Sequence, residues 1–389
     1  MRALEKLAGT PGTEITLLDQ NSYHYLQTDV YDFIANRTNL SDIAVDLHTL
    51  CASFGPTVSF YQEEVLRIDC EKKSVTTNHC RHYYDYLIIA AGSRTMMPES
   101  IKGLAEHFHG VKSLPNALYF KQRFEASMLN RLATEGKCSL DSRFDIVVGG
   151  GGLSGVEIAA EMVAYSKEFF RDIGYLCGGV NVTLINSSDA LLKGTNDFFQ
   201  DAAKKRLEAL GVTVVWNQRI REVCEDAIVL GDGQRQRMDF LIWTGGITPP
   251  WVIRDFEAAK NQKGQLLVDE FYRLNDYPDV FAIGDCADIK DPVTQTPLPP
   301  TAQAAELSAA YVAKNLKRLL QNKPMKLHSI TMKGMFAALG GRFGCGDVMG
   351  ILRFQGLMAY GFKKLIEKSY YWPLRRRCKR GYRIMTGGR

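Results

Sequence analysis

The sequence predicts an α/β fold made of two Rossmann-like dinucleotide-binding units, followed by an amphipathic helix that lies on a membrane surface. Three observations predict it. Short β-branched runs alternate with helical patterns and glycine-rich turns along most of the 389 residues. One strand–turn–helix stretch, DIVVGGGGLSGVEIAAEM at 145–162, places glycines at 150, 152 and 155. The charge is partitioned. Residues 360–389 carry ten Lys/Arg and one Glu, a net +9, which leaves 38 basic and 42 acidic side chains, a net −4, in the first 359. An acidic body with a basic tail points the tail at an anionic surface.

The elements follow in order. Residues 2–8 read as a helix and EITLLD (14–19) as a strand ending in Asp19. A helix is expected at 42–52, a strand at DYLIIAAG (85–92) and a helix at 115–135. Strand FDIVVGG (144–150) leads into the helix 154–171. Strand NVTLIN (181–186), helix 197–210, and strands VTVVW (212–216), FLIWTGG (240–246) and DVFAIGD (279–285) come next. Several of these strands are near-continuous apolar runs, the pattern of parallel strands covered on both faces. KDPVTQTPLPPT (290–301) is a loop because its prolines bar regular structure. Helices are expected at 302–320 and 355–371. No apolar run approaches the ~18–20 residues that span a bilayer, and no secretory signal opens the sequence.

The glycine spacing carries chemistry. Gly150 permits the tight turn, Gly152 lets the backbone approach a pyrophosphate, and Gly155 lets helix and strand pack closely. The helix N-terminus supplies donors to the anion. The next strand ends in Asn186, 31 residues after Gly155, where an acid usually grips the ribose. Asn186 can still bond a hydroxyl, and only Ser187 and Ser188 follow it, so nothing recruits a 2′-phosphate. NADH is favoured over NADPH. A second dinucleotide site is implied by Asp19 at its strand end, by Ala91 and Gly92 after LIIA, and by Gly284 and Asp285 in VFAIGDCAD (280–288). If Asp19 keeps the usual spacing of ~20 residues, the matching glycine loop is expected ahead of residue 1.

The segments LIIAAGS (87–93), GGGGLSGVEIAAEM (149–162), WTGGI (243–247) and VFAIGDCA (280–287) occur in the order found in the pyridine nucleotide–disulfide oxidoreductase superfamily, which the chain resembles over nearly its whole length. The disulfide reductases of that superfamily carry a cysteine pair close in sequence, and this chain has none. Two stretches resemble the type II NADH dehydrogenases instead, the single-subunit, non-pumping NADH:quinone oxidoreductases. NSYHYLQTDVYDFIA (21–35) is similar to their N-x-x-H segment, with departures at Tyr25, Leu26 and Gln27. PPTAQAAEL (299–307) is similar to their A-Q-x-A-x-Q segment, matching at Ala302, Gln303 and Ala305, with Leu307 in place of the last Gln.

The resemblance implies an FAD unit at 1–112 and 251–325, an inserted NAD(P)H unit at 113–250, and a membrane-associating region at 326–389. Asp19, Val65, Ala91, Gly92, Gly284, Asp285 and Ala302 would serve FAD. Gly150, Gly152, Gly155, Glu157, Asn186, Gly245 and Gly246 would serve NADH. Gln303 would contact quinone and flavin, Glu161 would stand beside the nicotinamide, and His24 would be a structural residue or a proton relay. A homodimer and the cytoplasmic face of the cell membrane fit the same picture.

FQGLMAYGFKKLIEKSYYWPL (354–374) spaces Phe354, Leu357, Met358, Phe362, Leu365 and Ile366 near one helical face, with Lys363, Lys364 and Lys368 on another. Tyr370, Tyr371, Trp372 and a run of arginines follow, the make-up of an interfacial membrane helix. No nucleic-acid module is recognisable. The nine cysteines show no CxxC spacing and read as scattered thiols of a reducing compartment, so no metal site is expected. Two rivals stand beside this reading. A sulfide:quinone oxidoreductase would need reactive cysteines, with Cys138, Cys177 and Cys345 as the sources. A non-catalytic, NADH-sensing or membrane-scaffold relative would need no chemistry at all.

Overall fold

The structure, a computed structural model, describes residues 1–135, 143–174 and 179–387. The glycine motif belongs to a five-stranded parallel sheet, ordered Phe108–His109, Phe240–Trp243, Arg143–Gly149, Gly179–Ile185, Thr213–Val215. Its central strands are continuous apolar runs because both faces are covered: Ile146, Val147, Val148, Leu184, Leu241 and Ile242 are fully buried. Helices Leu114–Glu135, Leu153–Asp172 and Asp197–Leu210 connect these strands. The last begins where Asn196 accepts from Phe199 N at 3.2 Å and ends at Gly211 in the left-handed region. Phe108–His109 pairs with Leu241 and Ile242, so this sheet takes in residues ahead of the expected boundary at 113. The crossing between the units is a short antiparallel pair, Arg94–Thr95 with Ile247–Thr248.

The other unit is assembled from separate stretches. Ile15–Asp19 pairs in parallel with Val58–Gln62, and Leu87–Ile89 pairs in parallel with Tyr277–Ala282. Among the described residues these two ladders are not bonded to each other. Helix Ala302–Leu320 packs over them, buries Val312, Ala313 and Leu316, and receives helix Arg2–Leu7. A small antiparallel meander, Val65–Asp69, Ser74–Thr77 and Arg81–Tyr83, stands beside them.

The C-terminal region folds as an antiparallel sheet, Gly334–Ala338, Gly344–Val348 and Leu352–Gly356, and then one helix, Leu357–Met385. The helix expected at 355–371 continues through Pro373. Proline removes one backbone bond and usually ends a helix. Here docking outweighs that loss: Tyr371, Leu374 and Gly381 are buried against the body. At Gly381 the approach is close, since a Cβ would lie 1.6 Å from Thr49 O. Ala337, Leu339, Cys345, Tyr371 and Leu374 join the core of the parallel sheet, so the inserted unit and the C-terminal region share one core.

Candidate functional site

The loop at 150–155 is built by backbone crowding. Gly150 has φ +118°, a region closed to L side chains, and a Cβ there would sit 2.8 Å from Thr244 O. A Cβ on Gly155 would lie 1.8 Å from Gly150 O. Gly152, the N-cap of Leu153–Asp172, has open space around it, and no side chain caps the helix. The first N–H groups of that helix therefore face the open side of the loop, as an anion requires. Asn186 is 4% exposed and donates both amide hydrogens, to Ser188 O and Ala190 O at 3.0 Å each. The side chain braces the turn, and its Oδ1 faces Gly151. Gly245 lies against the Trp243 ring, and Gly246 O accepts from Met96 N at 3.0 Å. All these residues stand at the carboxyl ends of parallel strands, where open α/β sheets bind ligands.

In the other unit, Asp285 sits in the turn Gly284–Cys286 after strand Tyr277–Ala282. Its Oδ2 accepts from Ser93 Oγ at 2.6 Å and faces Lys112 Nζ at 3.6 Å. Burial pulls the Lys112 ammonium below the usual lysine range, and Asp285 opposes that. Gly92 (φ +65°) and Gly284 (φ +69°) both need the left-handed region, and Ala91 precedes the first. Asp19 Oδ1 accepts from Asn21 N at 2.8 Å, while burial pushes its carboxyl above the usual range against that bond. Val65 opens the meander beside Glu63, whose N–H bonds Asp19 O at 2.9 Å. The segment at 21–35 also reaches this cluster: Tyr25 Oη donates to Val111 O at 3.2 Å and Gln27 Nε2 to Lys112 O at 2.9 Å. Ser93 and Lys112 are the polar residues the sequence did not single out. Ser93 meets Asp285 across 192 positions, a pairing that no local pattern marks.

Thr301 caps helix Ala302–Leu320, accepting from Ala304 N at 3.3 Å. Ala302 is exposed, and Gln303 Oε1 accepts from Lys333 N at 2.8 Å, tying the helix start to the segment before the C-terminal sheet. Glu157 and Glu161 of the glycine helix face that sheet. Glu157 Oε1 accepts from Ala338 N at 2.9 Å. Glu161 Oε2 accepts from Gly341 N at 3.2 Å, and Oε1 pairs with Arg37. Glu161 is 2% exposed, a buried charge. It stands eight residues beyond Leu153, about 12 Å along the axis from the loop.

A buried ionic cluster closes the space between Glu157 and the terminal helix. Lys363 Nζ donates to Glu367 Oε1 at 2.7 Å and to Thr28 O at 3.3 Å. Lys364 pairs with Asp29 and Asp32 and lies 3.1 Å from Glu367 Oε2. Lys363 and Lys364 are thus turned inward, which corrects the cationic face expected of them; Lys368 is exposed. The reason is charge balance, since the three carboxylates that meet there need internal cations. Burial pushes the Glu367 carboxyl up to about 7. His24 Nε2 meets Tyr370 Oη at 2.9 Å, and burial pulls the imidazole down to about 3, so it is a neutral tether to the terminal helix. Cys345 is buried and its thiol is pushed up to about 12 by burial, which makes it inert. Cys138 and Cys177 lie outside the described residues.

Residues 1–309 match the pyridine nucleotide-disulphide oxidoreductase family. The chain is 28% identical over 370 residues to a type II NADH:quinone oxidoreductase of Staphylococcus aureus (strain NCTC 8325 / PS 47), which covers 94% of this chain and 90% of that protein. NDH2 from Plasmodium falciparum, solved in complex with NADH, matches 98% of this chain and 94% of its own with a TM-score of 0.83 at 18% identity. The sulfide:quinone oxidoreductase of Aquifex aeolicus matches 97% of this chain and 89% of its own with a TM-score of 0.77 at 19% identity. These two structural likenesses establish the fold. From the family match across most of its length, the chain belongs to the pyridine nucleotide-disulphide oxidoreductases.

Proposed function

We propose that the chain is a type II NADH:quinone oxidoreductase, an enzyme that carries two electrons from NADH by way of FAD to a membrane quinone without pumping protons. The observation that carries this is the pairing of two strand-end sites in one chain, the crowded glycine loop at 150–155 and the Asp285–Ser93–Lys112 cluster. The similarity to the Staphylococcus aureus enzyme supports it. The unpartnered cap at Gly152 and the Cβ-intolerant turn at Gly150 and Gly155 fit a dinucleotide pyrophosphate. Asp19, Ala91, Gly92, Gly284 and Asp285 would hold FAD, with Asp285 oriented by Ser93 and Lys112. FAD, when bound, supplies hydride acceptance and onward electron transfer. The protein orients the two sites across the Arg94–Thr95 and Ile247–Thr248 crossing, and Lys112 sets a positive charge beside Asp285. Gln303 stays our choice for the quinone side, at the start of a helix whose N-terminal dipole favours negative charge.

The unit boundaries follow the same reading, with the flavin unit in two parts around the nucleotide unit. The terminal helix is read as the membrane footing. Leu357, Met358, Phe362, Leu365 and Ile366 are exposed on it, next to Ile351 and Leu352 of the preceding strand and turn. Trp372, Arg376, Lys379, Arg380 and Arg383 continue outward. A contiguous exposed apolar face flanked by cations is suited to lying in the headgroup layer. None of the described helices is long and apolar enough to cross a membrane. The cytoplasmic face of the cell membrane suits NADH and free thiols. The buried Cys345 speaks against the sulfide-oxidising rival. The test is flavin absorbance of the FAD-loaded protein: NADH bleaches it and a soluble quinone restores it. Bleaching by sulfide and not by NADH would overturn the proposal.

A further inference from the structure

Glu63, Cys80 and His82 bring a carboxylate, a thiol and an imidazole together at the edge of the small meander. Cys80 Sγ lies 3.3 Å from His82 Nε2 and 3.8 Å from Glu63 Oε2. His82 Nε2 lies 2.8 Å from Glu63 Oε2. A tetrahedral zinc ion, with bonds of about 2.3 Å to sulfur and about 2.0–2.1 Å to nitrogen and oxygen, spaces its ligands about 3.5 Å apart for S···N and S···O and about 3.3 Å for N···O. The three atoms therefore stand within about half an ångström of three tetrahedral corners.

The surroundings orient these groups. Thr77 Oγ1 donates to Glu63 Oε2 at 2.7 Å and accepts from Cys80 N at 3.1 Å. The turn is closed by Thr77 N donating to Cys80 O at 2.9 Å. The Tyr61 ring lies 5.1 Å from that of His82. Glu63 is buried, whereas Cys80 is exposed, so an ion has an entry path. The only other such group of three acidic or thiol ligands among the described residues, Asp29, Asp32 and Glu367, already holds the Lys364 ammonium.

We propose that Glu63, Cys80 and His82 form a zinc-class metal site, with water in the fourth position. One thiolate and one imidazole select a borderline-soft divalent ion over magnesium or calcium. Binding releases the Cys80 thiol proton to solvent, and the proton lying between His82 Nε2 and Glu63 Oε2 leaves for Nδ1 or solvent, freeing the Nε2 lone pair for the ion. Because Glu63 N–H bonds Asp19 O, the bound ion would clamp the meander carrying Val65 to the strand carrying Asp19. This does not depend on the electron-transfer reading.

The test uses the full purified chain, stripped with a chelator and titrated with Zn²⁺ against a chromophoric competitor, and with Co²⁺ as a spectroscopic probe. One equivalent of Zn²⁺ is expected, together with a thiolate-to-cobalt charge-transfer band and tetrahedral d–d bands to the red of flavin absorption. Cys80→Ser abolishes the charge-transfer band, and Thr77→Val weakens Zn²⁺ binding about 10- to 100-fold by releasing Glu63. Cys224→Ser, distant in sequence, leaves both readouts unchanged. In the unaltered protein, Zn²⁺ slows alkylation of Cys80 as read by mass spectrometry, which needs no variant to fold. Undiminished Zn²⁺ affinity in a folded Cys80→Ser protein, an octahedral cobalt spectrum, or unprotected Cys80 would each overturn the site.

Discussion

The glycine loop belongs to a unit that shares one core with the C-terminal region, yet opposite means hold the two. The loop is local. Gly150, Gly155 and Thr244 press backbone against backbone, and only the lack of a Cβ lets them do so. The C-terminal region is held by charges and hydroxyls from distant parts of the chain: Lys364 meets Asp29 across 335 positions, and Tyr371 Oη bonds Ala44 O across 327. The first should therefore fail by gaining an atom and the second by losing a charge.

The hardest blow to that contrast is Lys364→Met. It strips the cation from Asp29, Asp32 and Glu367, and breaking a buried pair from one side costs about 3–5 kcal/mol. Urea unfolding should show a loss of that size, and limited proteolysis should release the terminal helix. A loss below about 1 kcal/mol, the scale of an exposed pair, would mean the cluster is solvated.

Glu367→Gln probes the same cluster through pH. Burial is the first cause of the raised Glu367 pKa, so the folded state holds this proton more tightly than the unfolded chain, where the value is near 4.5. Its contribution is complete below about pH 4.5 and is lost as pH rises through about 7. The stability of the unaltered protein should therefore fall across that window relative to the Gln variant. Thermal unfolding of both proteins at matched pH checks this, and a constant difference between them would sink it.

In the loop, Gly155→Ala puts a Cβ 1.8 Å from Gly150 O. Overpacking of this kind costs about 1–3 kcal/mol, or about 10- to 100-fold in NADH affinity if the loop opens to relieve it. Gly152→Ala is the matched control, because its Cβ would meet no protein atom within 4 Å. It should leave unfolding unchanged and impair only NADH binding, by crowding the ligand. Equal effects of the two substitutions on stability would erase the distinction between packing glycine and ligand glycine.

The same contrast explains what could be read from sequence. The glycine spacing, the parallel strands and the helix after the glycine loop were legible because each depends on neighbours within one strand–turn–helix. The edge strand Phe108–His109 was not, since two residues carry too little pattern. Lys363 and Lys364 were misplaced because amphipathic spacing shows that a face is charged, not that acids from residues 29 and 32 cover it. The helix expected to end at residue 371 runs on to Met385, because the docking of Gly381 on Thr49 has no local trace in the sequence. The proposed metal site leaves no trace in cysteine spacing, because Glu63, Cys80 and His82 each supply a different ligand type.

The smallest effect belongs to the outward face of the terminal helix, where the cations have no buried partner. Arg376 is exposed and lies 4.4 Å over the Trp372 ring, so the pair presents a cation and an aromatic belt residue together. A basic side chain near an anionic leaflet contributes about 1 kcal/mol, so Arg376→Gln should lower partitioning onto phosphatidylserine-containing vesicles about fivefold. The loss should shrink at high salt, because the Debye length falls to about 3 Å at 1 M. Leu365→Asn, on the apolar face, should weaken the same partitioning at every salt concentration, since burial of apolar area is not screened. Co-sedimentation of both variants across a salt series separates the two contributions. If Arg376→Gln binds as the unaltered protein does at low salt, the outer cations serve solubility, and the apolar face alone would have to hold the membrane.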